Sequence, residues 1–278
     1  MKFTDYPTEL ILKDGIYFSK IKSAISYPES GNGDCFQVEE NSFWFQHRNL
    51  CILEAFKKYA KIPVFFDIGG GNGYVSKAFE EKNITTILVE PGIKGCLNAQ
   101  KRGLENIVCS TLQEAHFEYE SIPNIGLFDV VEHIEYDVQF LKTIYDYLLP
   151  NGLVFITVPA YQTLWSNEDI DAGHFRRYRL SEIEKKLKTI GFEIQYSTYI
   201  FSILPLPIFF FRKIPSLFGF NKKSSDLKKV KSEHSLKNSS LDKFSNYFWN
   251  MEINKIKKGN KIHFGSSCLI VARKEKKI

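Results

Sequence analysis

The spacing of apolar residues along this chain changes period several times, and the changes mark out its elements. Over 41–60 the apolar positions Trp44, Leu50, Ile52, Leu53, Ala55, Phe56 and Tyr59 suit an amphipathic helix. Short continuous apolar runs then alternate with helical stretches. Val64-Phe65-Phe66-Asp67-Ile68 predicts a strand that breaks into glycines, and 74–81 predicts a helix. Further strands are expected at 86–90, 106–109, 125–131, 153–158 and 192–198, and helices at 95–102, 139–148 and 181–189. Gly191 closes the last of these helices, where the lack of a Cβ suits a helix C-terminus. Strands of this kind, nearly continuous in apolar residues and separated by helices, imply an α/β fold with a mostly parallel sheet covered on both faces. A ligand would then bind at the carboxyl ends of the strands.

The rhythm is interrupted over 199–262. The run Ile200 to Phe211 (IFSILPLPIFFF) holds only twelve residues, with Pro205 and Pro207 inside it. A bilayer span needs about 20 residues, so the run is either a buried segment or an interfacial one flanked by Arg212 and Lys213. The stretch 221–240 is rich in Lys, Ser and Asn, 241–257 returns to helical spacing, and Cys268 to Ala272 reads as a last strand, antiparallel if it closes the same sheet. The expected organisation is an N-terminal extension (1–40, with a turn at Gly31-Asn32-Gly33-Asp34), a core (41–198), an apolar and basic insertion that covers substrate or contacts a membrane surface (199–262), and a final strand and tail (263–278).

Composition narrows the class. With 44% hydrophobic and 15% aromatic residues the chain can build a real core, which argues against global disorder. Its five cysteines form no C-x-x-C pair, which argues against a zinc knuckle or a disulfide framework and for a reducing compartment. MKFTDYPTEL has no apolar h-region, so a cytoplasmic protein is expected, membrane-associated if 200–213 is interfacial. The net charge of +5 hides an asymmetry: residues 212–278 carry 17 Lys and Arg against 5 Asp and Glu, whereas the rest of the chain carries 20 against 27. The basic part could meet an anionic surface or substrate, or be a solvated tail.

Asp67-Ile68-Gly69-Gly70-Gly71-Asn72-Gly73 follows a strand and opens a helix. Glycines there permit positive φ and let a ligand lie against bare backbone. Glu90 ends the next strand, where a carboxylate can accept both hydroxyls of a ribose. A nicotinamide-binding turn would place its third glycine where Tyr74 stands, and that side chain would crowd a pyrophosphate.

With these residues the chain resembles the class I S-adenosylmethionine-dependent methyltransferases, of the bacterial methyltransferase-domain family, from about 41 to 274. Phe43 to Asn49 resembles an "FWF-x-x-R" helix that lids the cofactor. Phe128 to Ile134 resembles a "D-V-L-E-H" strand end, Leu149 to Gly152 an "L-x-P-G-G" turn, and Gly173 to Tyr178 a "G-H-x-R-R-Y" motif. The resemblance implies a Rossmann-like, seven-stranded, mostly parallel sheet with helices on both faces and an antiparallel last strand. It also implies S-adenosylmethionine held by Asp67, Gly69, Gly71, Gly73, Glu90, Thr111, Leu112, Asp129 and Arg48. One departure stands out: where relatives carry an aspartate for the adenine amino group, this chain has Ser110-Thr111-Leu112.

Methyl transfer is an in-line displacement that needs a base only if the nucleophile loses a proton. His133 and His174 are the candidates, since histidine titrates near neutrality. Glu132, Arg176 and Arg177 are expected at the substrate. The arginines would fork onto a phosphate or carboxylate, or else pair with Glu168, Asp169 and Asp171. Asp129, Glu132 and His133 are similar to the E-x-x-E-H set of some quinone-ring methyltransferases, but the first acid usually lines the cofactor pocket, and no metal is expected. The expected acceptor is a small molecule, a lipid-linked intermediate or a saccharide. A non-catalytic partner subunit is a further reading, disfavoured by the intact Asp67, Gly69, Gly71 and Glu90. A nucleic-acid methyltransferase is another, disfavoured because Asp129-Val130-Val131-Glu132 lacks a base-flipping Asn-Pro-Pro-aromatic motif.

Overall fold

The computed structural model describes residues 9–20, 36, 39–217 and 240–275. The expected turn at Gly31–Asp34 and the lysine-rich stretch up to residue 239 lie outside them. Nine strands form one sheet: β1 (Ile11–Lys13), β2 (Ile16–Phe18), β3 (Val64–Ile68), β4 (Thr85–Val89), β5 (Ile107–Cys109), β6 (Ile122–Phe128), β7 (Leu148–Pro159), β8 (Phe192–Ile200) and β9 (Ser267–Lys274). Their order is β1-β2-β5-β4-β3-β6-β7-β9-β8. The last seven strands are those expected, and β9 runs antiparallel to both β7 and β8. The two extra strands are a hairpin in the N-terminal extension, whose β2 adds in parallel to β5 at the sheet edge. The sheet has nine strands where seven were expected because this hairpin is short and its β1 is wholly exposed, so it carries no apolar run like that of the equally short but largely buried β5.

Eight helices over the same residues frame this sheet: α1 (Phe43–Tyr59), α2 (Tyr74–Glu80), α3 (Ile93–Lys101), α4 (Asp137–Tyr147), the short α5 (Asn167–Asp171), α6 (Leu180–Ile190), an irregular helical segment of three joined pieces (Pro205–Ile208, Phe209–Lys213 and Ile214–Leu217) called α7, and α8 (Ser240–Lys258). Every residue of β3 is buried, as a strand covered on both faces requires. On one face Ile68, Ile125 and Ile156 pack with Leu141 and Ile144 of α4 and Leu187 of α6. On the other, Phe65 and Phe155 pack with Ile52 and Phe56 of α1, Phe79 of α2 and Trp249 and Ile256 of α8. The segment after β8 therefore returns to the core through α8, which lies against α1.

A buried carboxylate ties that return together. Glu252 of α8 accepts from the backbone N–H groups of Phe201 (2.8 Å) and Ser202 (2.6 Å) and lies 2.9 Å from Nε2 of His47 on α1. Burial alone would push this carboxyl up, but the hydrogen bonds from His47 and Ser202 outweigh it and hold it below the ordinary range. The apolar run beginning at Ile200 is split by this anchor. Ile200 and Phe201 are fully buried, whereas Leu206, Phe210 and Phe211 are 64%, 55% and 80% exposed. The run is thus buried at its start and at the surface beyond Pro205.

Candidate functional site

Strand order reverses between β4 and β6 on either side of β3, and a cleft of about 640 Å³ opens at the carboxyl ends of these strands. Its floor is the turn from β3 to α2. Gly69, Gly71 and Gly73 take positive φ of 69°, 53° and 73°, conformations that cost a side chain about 1–2 kcal/mol. Gly70 is needed for a different reason: a Cβ there would lie 2.2 Å from Leu88 Cδ1 and 2.7 Å from Asp67 Cγ. Asp67 is 1% exposed and accepts from Ser76 Oγ at 2.7 Å, tying β3 to α2. Burial raises its carboxyl to about 6 against that hydrogen bond.

Glu90 ends β4 beside this turn. Its Oε2 accepts from Gly71 N at 3.0 Å and its Oε1 from Gly92 N at 2.7 Å. Burial drives the carboxyl up to about 7, against the pull of those two amides. A carboxylate has about four lone-pair sites, so each oxygen keeps one for a ligand. The adjoining wall is Ser110, Thr111, Leu112 and Gln113. Thr111 Oγ1 is taken by Glu114 (2.9 Å) and Leu112 is 1% exposed, which leaves Gln113, exposed on the cleft, to offer an amide there.

The roof comes from α1. Trp44, Phe45 and Arg48 line the cleft, and the Arg48 guanidinium sits 4.7 Å from the Trp44 ring centroid and 5.3 Å from that of Phe45. Arg48 pairs with Asp129, which stands at the end of β6 with φ 55°. Thr157 Oγ1 donates to the other carboxylate oxygen of Asp129 at 3.1 Å. An aspartate tolerates this left-handed backbone better than most residues. Its position here aims the carboxylate at the arginine.

The far end of the cleft holds the histidines. His133 and His174 meet edge to face with ring centroids 4.7 Å apart. Burial and the neighbouring His174 lower His133 to about 4, so it is neutral near pH 7. His174 Nδ1 lies 2.8 Å from Asp169 Oδ1. Burial would raise Asp169, but hydrogen bonds from His174 and Arg177 outweigh it and keep the carboxyl ionised. A carboxylate only accepts, so Nδ1 of His174 carries the proton and Nε2 is the basic nitrogen.

Ten of the expected residues thus line one cleft: Asp67, Gly69, Gly71, Glu90, Thr111, Leu112, Asp129, Arg48, His133 and His174. Four do not. Gly73 caps α2 and faces Leu104, whose Cδ1 would lie 2.4 Å from a Cβ there, so its role is packing. Arg176 bonds Asp137 (2.9 Å) and Glu135 O (2.8 Å), and Arg177 bonds Asp169 (2.8 Å) and Ala160 O (3.3 Å). Each guanidinium thus pairs with one acid and one backbone carbonyl of the protein itself, and Asp137 was not among the partners weighed from sequence. Glu132 is 1% exposed behind the histidines, with neither carboxyl oxygen hydrogen-bonded. Burial and the Asp129 charge push its carboxyl well up. Ligand atoms of Glu132, His133 and His174 lie within 4.8 Å of one another, so this trio could hold a divalent cation. The buried group of His47, Cys51 and Glu252 lies equally close, but its carboxylate is already committed to backbone amides.

Sequence reasoning passed over Gly70, Asn72 and Gln113, and weighed Asp169 only as an arginine partner, not as the residue that orients His174. Asn72 is buried beside the turn, where its side chain donates to Glu39 (3.1 Å) and accepts from Asn98 (3.0 Å). Gly70 could have been found from the unbroken Gly69-Gly70-Gly71 run, and Asp169 from its place five residues before His174. Nothing local signals Gln113 or Asn72.

A family model described as a methyltransferase domain matches residues 49–197. Among curated proteins none matches the chain in sequence. The structure resembles phosphoethanolamine N-methyltransferase 2 of Haemonchus contortus in complex with S-adenosyl-L-methionine, with a TM-score of 0.56 and 21% identity over 90% of this chain. The chain spans only 58% of the length of that protein. It also resembles a SAM-dependent methyltransferase of Thermotoga maritima, with a TM-score of 0.53 and 16% identity over 88% of this chain and 95% of the other. At such identities these likenesses establish the fold alone.

Proposed function

The chain belongs to the methyltransferase-domain family, with S-adenosylmethionine as its methyl donor, and on that premise we propose that it methylates a small-molecule, lipid-linked or saccharide acceptor at the histidine end of the cleft. The observation that carries this reading is that one continuous cleft is lined by the bare glycine turn and Glu90 and also by His133 and His174. A donor and an acceptor could meet there without leaving the protein.

The residues present fit the donor. Its bulk matches a cleft of about 640 Å³, the turn at 69–71 carries no side chain that would hold a ligand off, and Glu90 keeps acceptor capacity for ribose hydroxyls. When bound, S-adenosylmethionine supplies a methyl carbon made electrophilic by the adjacent sulfonium. Gln113 offers an amide to the adenine edge in place of the aspartate that this chain lacks. Trp44 and Phe45 exclude water from above, with Arg48 and Asp129 fixing α1 to β6. At the acceptor end His174 is held by Asp169 in the tautomer whose Nε2 would take the proton of an acceptor hydroxyl. Neutral His133 narrows the same space and can hydrogen-bond the acceptor.

Glu90→Ala tests the reading. By calorimetry it should weaken S-adenosylmethionine binding about 30-fold, the scale of hydrogen bonds to a charged group. Circular dichroism would confirm that the variant folds. Unchanged affinity in a folded variant would refute the ribose role.

A further inference from the structure

The strongest feature that methyl transfer leaves unused is the outer face of α7. Leu206, Phe210 and Leu217 fall at helical spacing and are 64%, 55% and 67% exposed, with Phe211 beside them at 80%. The helix is held down on its other side: Pro205 is buried, Ser216 Oγ accepts from Asn167 N at 3.2 Å, and Arg212 pairs with Glu168 at 2.7 Å. Both contacts are to α5, the helix that leads directly to Ala172 and His174 in the cleft wall. Ile170 on α5 and Phe175 just past His174 are also exposed, at 61% and 48%. Exposed apolar residues therefore lie on α7, on the α5 helix it contacts, and next to His174.

Charge decides what covers it. From 205 to 239 the chain carries eight Lys and Arg against two Asp and Glu, whereas residues 1–211 are net acidic. An apolar face that leads in sequence into a lysine-rich run, in a chain net acidic up to residue 211, matches the interface of an anionic bilayer, which takes up aromatic side chains and attracts lysine. No helix among the described residues is long and apolar enough to cross a membrane, so the contact is one of lying on the surface.

We propose that the exposed face of α7, with Ile170 and Phe175, docks this protein on an anionic lipid surface and so brings the mouth of the cleft to amphiphilic acceptors held there. The docking stands on exposure and charge alone, whereas the choice of acceptor rests on the methyl-transfer reading.

The full-length protein would be spun with vesicles of phosphatidylcholine, alone or with about 30 mol % phosphatidylglycerol. Co-sedimentation with the anionic vesicles is expected, reduced at about 0.5 M salt and weakened about tenfold in a Phe210→Ser/Phe211→Ser variant. Both side chains are exposed, so the variant should fold and bind S-adenosylmethionine as the wild type does. Three results would overturn the docking: no wild-type binding to anionic vesicles, equal binding by the variant, or a wild-type dimer in sedimentation equilibrium that the variant loses, which would make a second copy the occupant. Calorimetry on the same samples separates the two readings, because vesicle binding without S-adenosylmethionine binding sinks the methyl-transfer reading and leaves the docking intact.

Discussion

The glycine end and the histidine end of the cleft are built in opposite ways. At the glycine end main chain forms the surface, and the nearby side chains (Asp67, Ser76, Asn72) are buried and engaged in holding that main chain in place. At the histidine end side chains form the surface, and a chain of partners from Arg177 to Asp169 to His174 orients the one that matters. The first end can accept one shape closely. The second stands on residues beyond the strand ends, where side chains can be altered with less effect on the sheet.

That contrast predicts separable failures. The largest belongs to the histidine end. With an acceptor in hand, His174→Ala should lower kcat about 10²- to 10³-fold while leaving S-adenosylmethionine affinity unchanged, the scale of a lost general base. Asp169→Asn should fall between that variant and wild type, because the asparagine amide can present a donor to Nδ1 and favour the wrong tautomer. If kcat at saturating donor survives both changes, the proton leaves by another route.

The next effect lies at the glycine end and should spare chemistry once donor is bound. Gly70→Ala places a methyl 2.2 Å from Leu88 Cδ1 and 2.7 Å from the buried Asp67 carboxyl. Overpacking of this kind costs about 1–3 kcal/mol, seen as a lower Tm, and the displaced turn should raise the donor Kd about tenfold or more. A Gly70→Ala protein with wild-type Tm and affinity would show that the turn yields, and the contrast between the two ends would lose its basis.

What the sequence revealed follows the same division. β3 and β4 are legible because strands buried on both faces are written as nearly continuous apolar runs, β6 only from Ile125 to Phe128 because Pro123 and Asn124 break its start, and the glycine turn because glycine adopts positive φ most readily. The hairpin at 11–18 is not, since its strands hold three residues each and β1 is wholly exposed. Arg176 and Arg177 read equally well as anion ligands or as ion-pair partners. Which they are depends on where Asp137 and Asp169 fold, and that is a tertiary fact with no local signature. The fate of the run after β8 was likewise set at a distance, by Glu252 of α8 reaching back to the amides of Phe201 and Ser202.

The smallest predicted effect tests whether Glu90 joins the two halves of this account. Burial raises its carboxyl to about 7, against an ordinary 4.5. A raised carboxyl favours the fold at low pH: its contribution is complete below about 4.5 and is lost as the pH climbs through 7. Ribose hydroxyls donate hydrogen bonds, so they prefer the ionised form, and binding below pH 7 must expel a proton. S-adenosylmethionine affinity should therefore rise with pH between 5.5 and 7, by at most about tenfold per unit, and level off above. Asp67, raised to about 6, titrates in the same range, but it faces Ser76 and should keep its protonation on binding. Glu90→Gln separates the two, since it retains an acceptor for one of the Gly71 and Gly92 amides and removes the titration. Calorimetry in buffers of differing ionisation enthalpy should find proton release in the wild type and none in the variant. An equal slope in both proteins would mean that the carboxylate at the end of β4 holds the turn and never meets the sugar.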